Sequence, residues 1–446
     1  MAVVSMDIQH ALNQTRFSAF QVMVFVLCFL IVVLDGFDTS AIGYIAPSLL
    51  GEWGVAKPAL APVLSAALFG LAGGALTSGP MSDLFGRKKV LIVSVFLFAL
   101  ASCVSAFSPD LWALTVLRFI TGLGLGAAMP NAVTLMSEYC ADRQRAMITN
   151  AMFCGFPLGA AMGGFLAAAI IPAFGWRAVL VLGGVAPALL AVVLVFNLPE
   201  SIRYIVTRAY SVARIKAIMV HISPLASEAA AFTMTEPTPI KAHKSAAALV
   251  LSPANIVGSL MLWLTYFMGL VIFYAMINWL PILLKDVGLD PKTATLISAM
   301  FPLGGVGAVL SGYLMDRFNA NWIIAACYAL TAVLIYAIGQ STGTQALLMF
   351  AVFVAGAMMN TAQTSMPSLA AAFYPTQGRA TGVAWMLGVG RFGGIAGSFL
   401  VAELTRQQLG FAAVFAVVAV PGVIAALALA VKALVYPEVR DVPSAS

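Results

Sequence analysis

Segments of about 20 apolar residues recur about twelve times between residues 20 and 435, and this recurrence limits what the chain can fold into more than any other feature. A helix of that length crosses the roughly 30 Å of hydrocarbon in a bilayer. The segments begin near positions 20, 58, 89, 111, 146, 177, 253, 293, 321, 345, 379 and 410. They show no dyad alternation and are too long for barrel strands, which leaves helices as the form that satisfies the backbone in lipid. With 62% hydrophobic and 9% charged residues, the chain is far from the roughly 25% charged content of a soluble domain. It reads as an all-α membrane protein with 12 transmembrane helices.

The 23 Lys and Arg residues orient it. With the N-terminus inside, 16 lie on the cytoplasmic side, 5 outside (Lys57, Arg177, Lys285, Lys292, Arg406) and 2 within spans. The positive-inside rule then places both termini in the cytoplasm. The net charge of +6 is a topology signal, and no nucleic-acid partner is expected. The opening residues, MAVVSMDIQHALNQTR, are polar and lack a signal-peptide core and cleavage site, so the first helix is expected to stay in the protein. The five cysteines lack paired spacing, and His10, His221 and His243 fall in the N-terminal tail and the central loop. Neither a metal, a cofactor nor His-based enzyme chemistry is expected in the membrane.

Residues 199–252 are polar, with Arg203, Arg208, Arg214, Lys216, Lys241, Lys244 and the run TEPTP. They divide the chain into an N-terminal bundle (1–198), a central loop (199–252) and a C-terminal bundle (253–446), with a short amphipathic helix expected around 211–222. The bundles repeat each other. GPMSDLFGRKK after the second span answers GYLMDRFN after the eighth, with Asp83 and Asp316 separated by 233 residues. Arg145, Gly159 and Gly163 match Arg379, Gly393 and Gly397, each 234 apart, and Met-Pro recurs at Met129 and Met366. Such a six-plus-six parallel repeat is the mark of a transporter with a midplane site.

The repeat also separates architecture from chemistry. Asp35, Asp38, Arg118 and Arg391 have no counterparts in the other half: Met268 matches Asp35 and Pro157 matches Arg391. Asp35 and Asp38 stand three apart and share one helix face, about 60° from each other. A charge at that depth costs at least about 2.5 kcal/mol, so the acids should face a cavity or partner, as a proton path or as structural ion-pair members. Gly36 between them either admits a ligand or packs a helix. Arg391 lies near the middle of the eleventh span within GVGRFGG, where its guanidinium suits a carboxylate through two parallel hydrogen bonds, with a structural partner as the alternative. The run GLGLG at 122–126 lies in a span with no preceding strand, so close helix packing is expected there and not a nucleotide loop.

GPMSDLFGRKK, RFITGLGLG from Arg118 and PESIRY at 199–204 resemble the signatures of the major facilitator superfamily. Within it, LDGFDTSAIGYIAPSL, MFCGFPLG, WLTYFMGLVIFY and FYPTQGRATGVAWMLGVGRFGGIAG are similar to the aromatic acid:proton symporters, close to the 4-hydroxybenzoate and protocatechuate transporters. Leu84 departs from the loop signature, and the second copy ends at Asn319 without the glycine and basic pair that complete the first.

The resemblance implies two pseudo-symmetric six-helix bundles in the inner membrane. It also implies a monomer that imports a small aromatic carboxylate with protons. The first and fourth helices line the cavity in that superfamily, and Arg118 lies about 12 Å down its helix at a depth comparable to Asp35, so an Asp35 to Arg118 pair is expected. Arg391 and Arg118 would hold the carboxylate. Phe37, Tyr44, Phe153, Tyr266, Phe273, Tyr274 and Trp385 are candidates for an apolar slot, and Asn360 or Gln363 for a ring hydroxyl. Gly79, Asp83, Gly86, Arg87 and Lys88 would form a cytoplasmic gate, Asp83 meeting the helix that begins near Arg379, with Asp316 in the second copy. Glu138, Asp142, Arg143 and Arg145 would extend it. The rivals are an efflux antiporter, a transporter of a sugar or another organic acid, and a sensor that binds without transporting. A membrane-embedded enzyme is disfavoured because no His, Cys or Ser constellation accompanies the acids.

Overall fold

The computed structural model describes residues 5–208, 211–233, 246–307, 319–340, 344–374 and 378–437. Eleven of the described helices are long and apolar enough to cross a membrane. The chain divides into two compact units, Met1–Ser48 with Pro62–Pro239, and Leu49–Ala61 with Ile240–Ser446.

After α1 (Ile8–Gln14), the spans of the first unit are α2 (Ala19–Trp53), α3 (Ala61–Phe85), α4 (Arg87–Ser105), α5 (Leu111–Glu138), the pair α6 (Asp142–Phe153) and α7 (Gly155–Phe174), and α8 (Trp176–Asn197). Their ends have local causes. Gly86, at φ +94°, turns the chain between α3 and α4, a conformation that L side chains rarely adopt. Asp110 caps α5 by accepting from the Ala113 amide at 2.8 Å. The fifth span breaks between α6 and α7 because Pro157 has no N–H to offer the Phe153 carbonyl.

Within the span bundle, small residues let backbones touch. A Cβ on Gly36 would run into the Phe156 carbonyl, and one on Gly159 into that of Val33, which locks α2 against α7. Gly122 and Gly126 meet the carbonyls of Ala67 and Leu71 in the same way, joining α5 to α3, while Gly124 meets Ser94 and Phe98 of α4. The GLGLG run is therefore a packing surface, and Gly36 serves packing too.

The second unit repeats these pairings in α12 (Ile256–Asp286), α13 (Pro291–Leu303), α14 (Ala320–Gln340), α15 (Gln345–Phe373), α16 (Arg379–Arg406) and α17 (Phe411–Val435), after the short α9 (Ile202–Thr207), α10 (Val212–Met219) and α11 (Ala246–Val250). Gly393 and Gly397 seat α16 on the carbonyls of Phe267 and Val271, Gly356 seats α15 on that of Phe301, and α14 packs along α17. First with fifth, second with fourth and third with sixth span is thus the pattern of both units. The span expected from about 293 appears as α13 and the turn Gly304–Gly307, and its continuation through Asp316 lies outside the described residues, as do Lys241 and Lys244.

The polar ends of the first unit are also built. The strand Ser5–Asp7 pairs in parallel with Ala231–Thr233. Ile8 and Leu12 of α1 are buried together with Ile215 and Met219 of α10, the amphipathic helix expected in this region. Phe20 stacks on His221 with ring centroids 5.4 Å apart.

Candidate functional site

Both acids of the first span are buried, Asp35 1% and Asp38 0% exposed. The ion pair expected for Asp35 belongs to Asp38. Arg118 Nη1 lies 2.8 Å from Asp38 Oδ2, and Arg118 Nη2 donates to the Asp38 main-chain carbonyl at 3.0 Å. On the other carboxylate oxygen, Oδ1, Asp38 accepts from Ser102 Oγ at 2.8 Å. Three helices, α2, α4 and α5, thereby converge on one carboxylate. Asp35, one turn earlier, accepts from Thr39 Oγ1 at 3.2 Å. The expectation missed because depth along a span does not fix azimuth, and the 60° between the two acids decides which one faces α5. Arg118 is fully buried with Nη1 and Nη2 both on Asp38, so it is not the open carboxylate ligand that was expected.

Phe37 packs between Gly163 of α7 and Gly183 of α8, and Tyr44 donates to the Ala160 carbonyl at 3.0 Å. Neither offers a face to a ligand. Phe153 ends α6 at the helix break.

In the second unit a polar group gathers at mid-span. The Tyr266 ring of α12 lies against the backbone of Gly390, next to Arg391, and its phenol feels both the charge of Arg391 and the Gln363 side chain. Gly390 is therefore filled by Tyr266, while Gly388 faces open space. Gln363 of α15 accepts from the buried Tyr328 hydroxyl of α14 at 2.7 Å. Tyr328 was not among the expected residues. Asn360 is spent differently: its Nδ2 donates to the carbonyls of Gly356 at 2.8 Å and Phe301 at 3.3 Å, a staple between α15 and α13. Tyr274 is buried edge-on to Phe273 at 5.4 Å, which in turn tilts against Phe301. Trp385 stands partly exposed, edge-on to Trp263 at 5.8 Å.

Around the α3–α4 turn, Arg87 Nε pairs with Glu138 Oε1 at 2.9 Å, and Glu138 also accepts a short hydrogen bond from Ser201. Glu200 was missed in the sequence although it lies within PESIRY. Its Oε1 caps α4 through the Lys88 amide at 3.0 Å and bonds the Ser201 amide at 2.8 Å. The carboxylate fills the space a Cβ on Gly86 would need. Arg145 pairs with Asp142 at 3.0 Å and bonds the Ser137 carbonyl at 3.2 Å, and Asp142 accepts from Asn13. Gly79, the Asp83 carboxylate, Arg143 and Arg379 are exposed.

An open depression of about 340 Å³, lined by Lys57, Asp286, Thr405 and Phe411 among others, touches none of the expected substrate residues. Asp35, Asp38, Arg118, Gln363 and Arg391 lie within apolar spans, where polar and charged side chains are costly.

Two repeated units of membrane-spanning helices with ionisable groups buried at mid-span define a secondary transporter. The model of the Major Facilitator Superfamily matches residues 28–309 and 262–446. The chain is 48% identical to the 4-hydroxybenzoate transporter PcaK of Pseudomonas aeruginosa over 97% of each protein. It is 43% identical to a gallate transporter of Pseudomonas putida, over 95% of this chain and 94% of that one. A crystal structure of a D-xylose-proton symporter shares the fold, with a TM-score of 0.71 at 19% identity, covering 92% of this chain and 97% of that one. The chain belongs to the Major Facilitator Superfamily and is a multi-pass membrane transporter.

Proposed function

We propose that this chain imports an aromatic carboxylic acid of the 4-hydroxybenzoate, protocatechuate or gallate type together with protons. It works as a monomer in the inner membrane, with both termini in the cytoplasm. The observation that carries the substrate class is the 48% identity, spanning nearly the whole chain, to a relative named for 4-hydroxybenzoate. Two six-helix halves, 1–198 and 253–446, joined by the segment 199–252, carry out transport by alternating access.

Arg391 holds the carboxylate, with Tyr266, Tyr274 and Trp385 beside the ring and Gln363 at a ring oxygen. Proton coupling is assigned to Asp35 and Asp38. The geometry favours Asp38 as the member whose protonation acts on other groups, because a neutral Asp38 loses the ion pair to Arg118 Nη1 and keeps only the main-chain carbonyl bond to Nη2. Asp83, Arg87, Glu138, Arg145, Asp316 and Arg379 serve the cytoplasmic gate. Support for this assignment comes from the Arg87 to Glu138 pair, which ties the α3–α4 turn to the end of α5.

Uptake of labelled 4-hydroxybenzoate into vesicles under an imposed inward proton gradient tests the reading. Gradient-stimulated accumulation is expected. No stimulated uptake of any aromatic acid would overturn it.

A further inference from the structure

Tyr328 is fully buried, and its hydroxyl lies 2.7 Å from Gln363 Oε1. A carbonyl oxygen has no proton, so Tyr328 is the donor, and this fixes which end of the amide is used. The other end, Nε2, makes no hydrogen bond among the described residues, on a side chain only 9% exposed, and the neighbouring Tyr266 phenol, which feels the amide, does not close one with it. An amide with one end satisfied and the other without a hydrogen bond is placed to serve an acceptor brought to it. The contact has space reserved for it: a Cβ on Gly269 would strike both Gln363 Oε1 and the Tyr328 hydroxyl. With the Met-Pro pairs aligned, Gln363 falls on Gly126 of the first half, so repeat symmetry does not account for it.

We propose that Tyr328 positions the Gln363 amide so that Nε2 forms a donor-only subsite for an acceptor oxygen on the ring of the transported acid. This rests on the aromatic-acid reading above. A ring hydroxyl supplies lone pairs to Nε2. A ring amino group opposite a carboxylate delocalises its lone pair into the ring and presents N–H groups to an N–H donor. Turning the amide to offer Oε1 would forfeit the Tyr328 bond and leave that hydroxyl buried and unpaired. The site therefore chooses hydroxyl over amino at a ring position that differs little in size. Tyr328 never touches the substrate in this scheme; it acts through Gln363.

Competition against labelled 4-hydroxybenzoate uptake in proteoliposomes tests this, with 4-hydroxybenzoate, 4-aminobenzoate and benzoate as competitors. The wild type is expected to favour 4-hydroxybenzoate over 4-aminobenzoate by about tenfold or more, the worth of an unpaired buried donor. In Tyr328→Phe the amide is free to turn, so the preference falls to within about threefold while benzoate competes as before. Gln363→Leu should bring 4-hydroxybenzoate down to the affinity of benzoate and leave benzoate unchanged. Unaltered selectivity in Tyr328→Phe overturns the positioning role. Equal weakening of benzoate and 4-hydroxybenzoate by Gln363→Leu overturns the ring-oxygen assignment, since Nε2 would then serve the shared carboxylate. Absence of uptake of every aromatic acid by the wild type would instead fail the underlying reading.

Discussion

Arg118 holds Asp38 twice, through the carboxylate at 2.8 Å and through the main-chain carbonyl at 3.0 Å, with both side chains fully removed from solvent. Such a pair contributes little net stability because desolvation offsets the attraction, yet breaking it from one side is costly. In the mechanism proposed above, the use of this pair lies in the charge of Asp38, which protonation removes.

Asp38→Asn should therefore abolish proton-driven accumulation while substrate exchange at equal concentrations on both sides persists. Counterflow and gradient-driven uptake, measured on the same vesicles, separate the two. Arg118→Ala alone should destabilise the fold by about 3–5 kcal/mol, read as a lower melting temperature in detergent, because Asp38 is left buried without its countercharge. Adding Asp38→Asn to Arg118→Ala should recover part of that loss.

Arg391→Lys should weaken 4-hydroxybenzoate by about tenfold, since an ammonium cannot supply the second of two parallel hydrogen bonds. Vmax should change less than the half-saturation concentration. An unchanged half-saturation value would make Arg391 structural.

The spans were legible because length and hydropathy are set by the bilayer. The starts expected near 111, 345 and 379 coincide with those of α5, α15 and α16. The one-sided charges were legible for a related reason, because a repeat exposes whatever lacks a partner. Azimuth was not legible. Asp35 and Asp38 differ by one helical turn, and which of them meets Arg118 depends on how α2 is rotated against α5. That rotation is fixed by Gly36 on Phe156 and Gly159 on Val33, contacts between residues more than a hundred positions apart. Asn360 and Gln363 illustrate the same limit. Both are amides on α15, yet one staples backbone carbonyls and the other meets Tyr328.

Gly36→Ala should be poorly tolerated although alanine favours helix. Its methyl would collide with the Phe156 carbonyl, and backbone cannot yield as a flexible side chain can. A loss of about 1–3 kcal/mol is expected from overpacking, seen as reduced melting temperature. Gly51→Ala on the same helix meets nothing within 4 Å and should be neutral or slightly stabilising.

Cys140 reports on the N-terminal segment. It is buried where α5 gives way to α6, its thiol donates to the Met136 carbonyl, and its own carbonyl accepts from Gln9 of α1. Burial pushes the thiol up to about 11, so almost no thiolate exists near neutral pH. Maleimide labelling of Cys140 at pH 7.5 should be negligible in the intact protein. Deleting residues 2–14 removes α1 and should raise it several-fold. The sign for stability follows from the same shift: the folded chain keeps a proton that the unfolded chain releases above its ordinary thiol pKa. This contribution is present below that value and is lost as pH rises toward about 11. Cys140→Ser should flatten that part of the pH–stability profile, and an unchanged profile would show that the thiol plays no part in it.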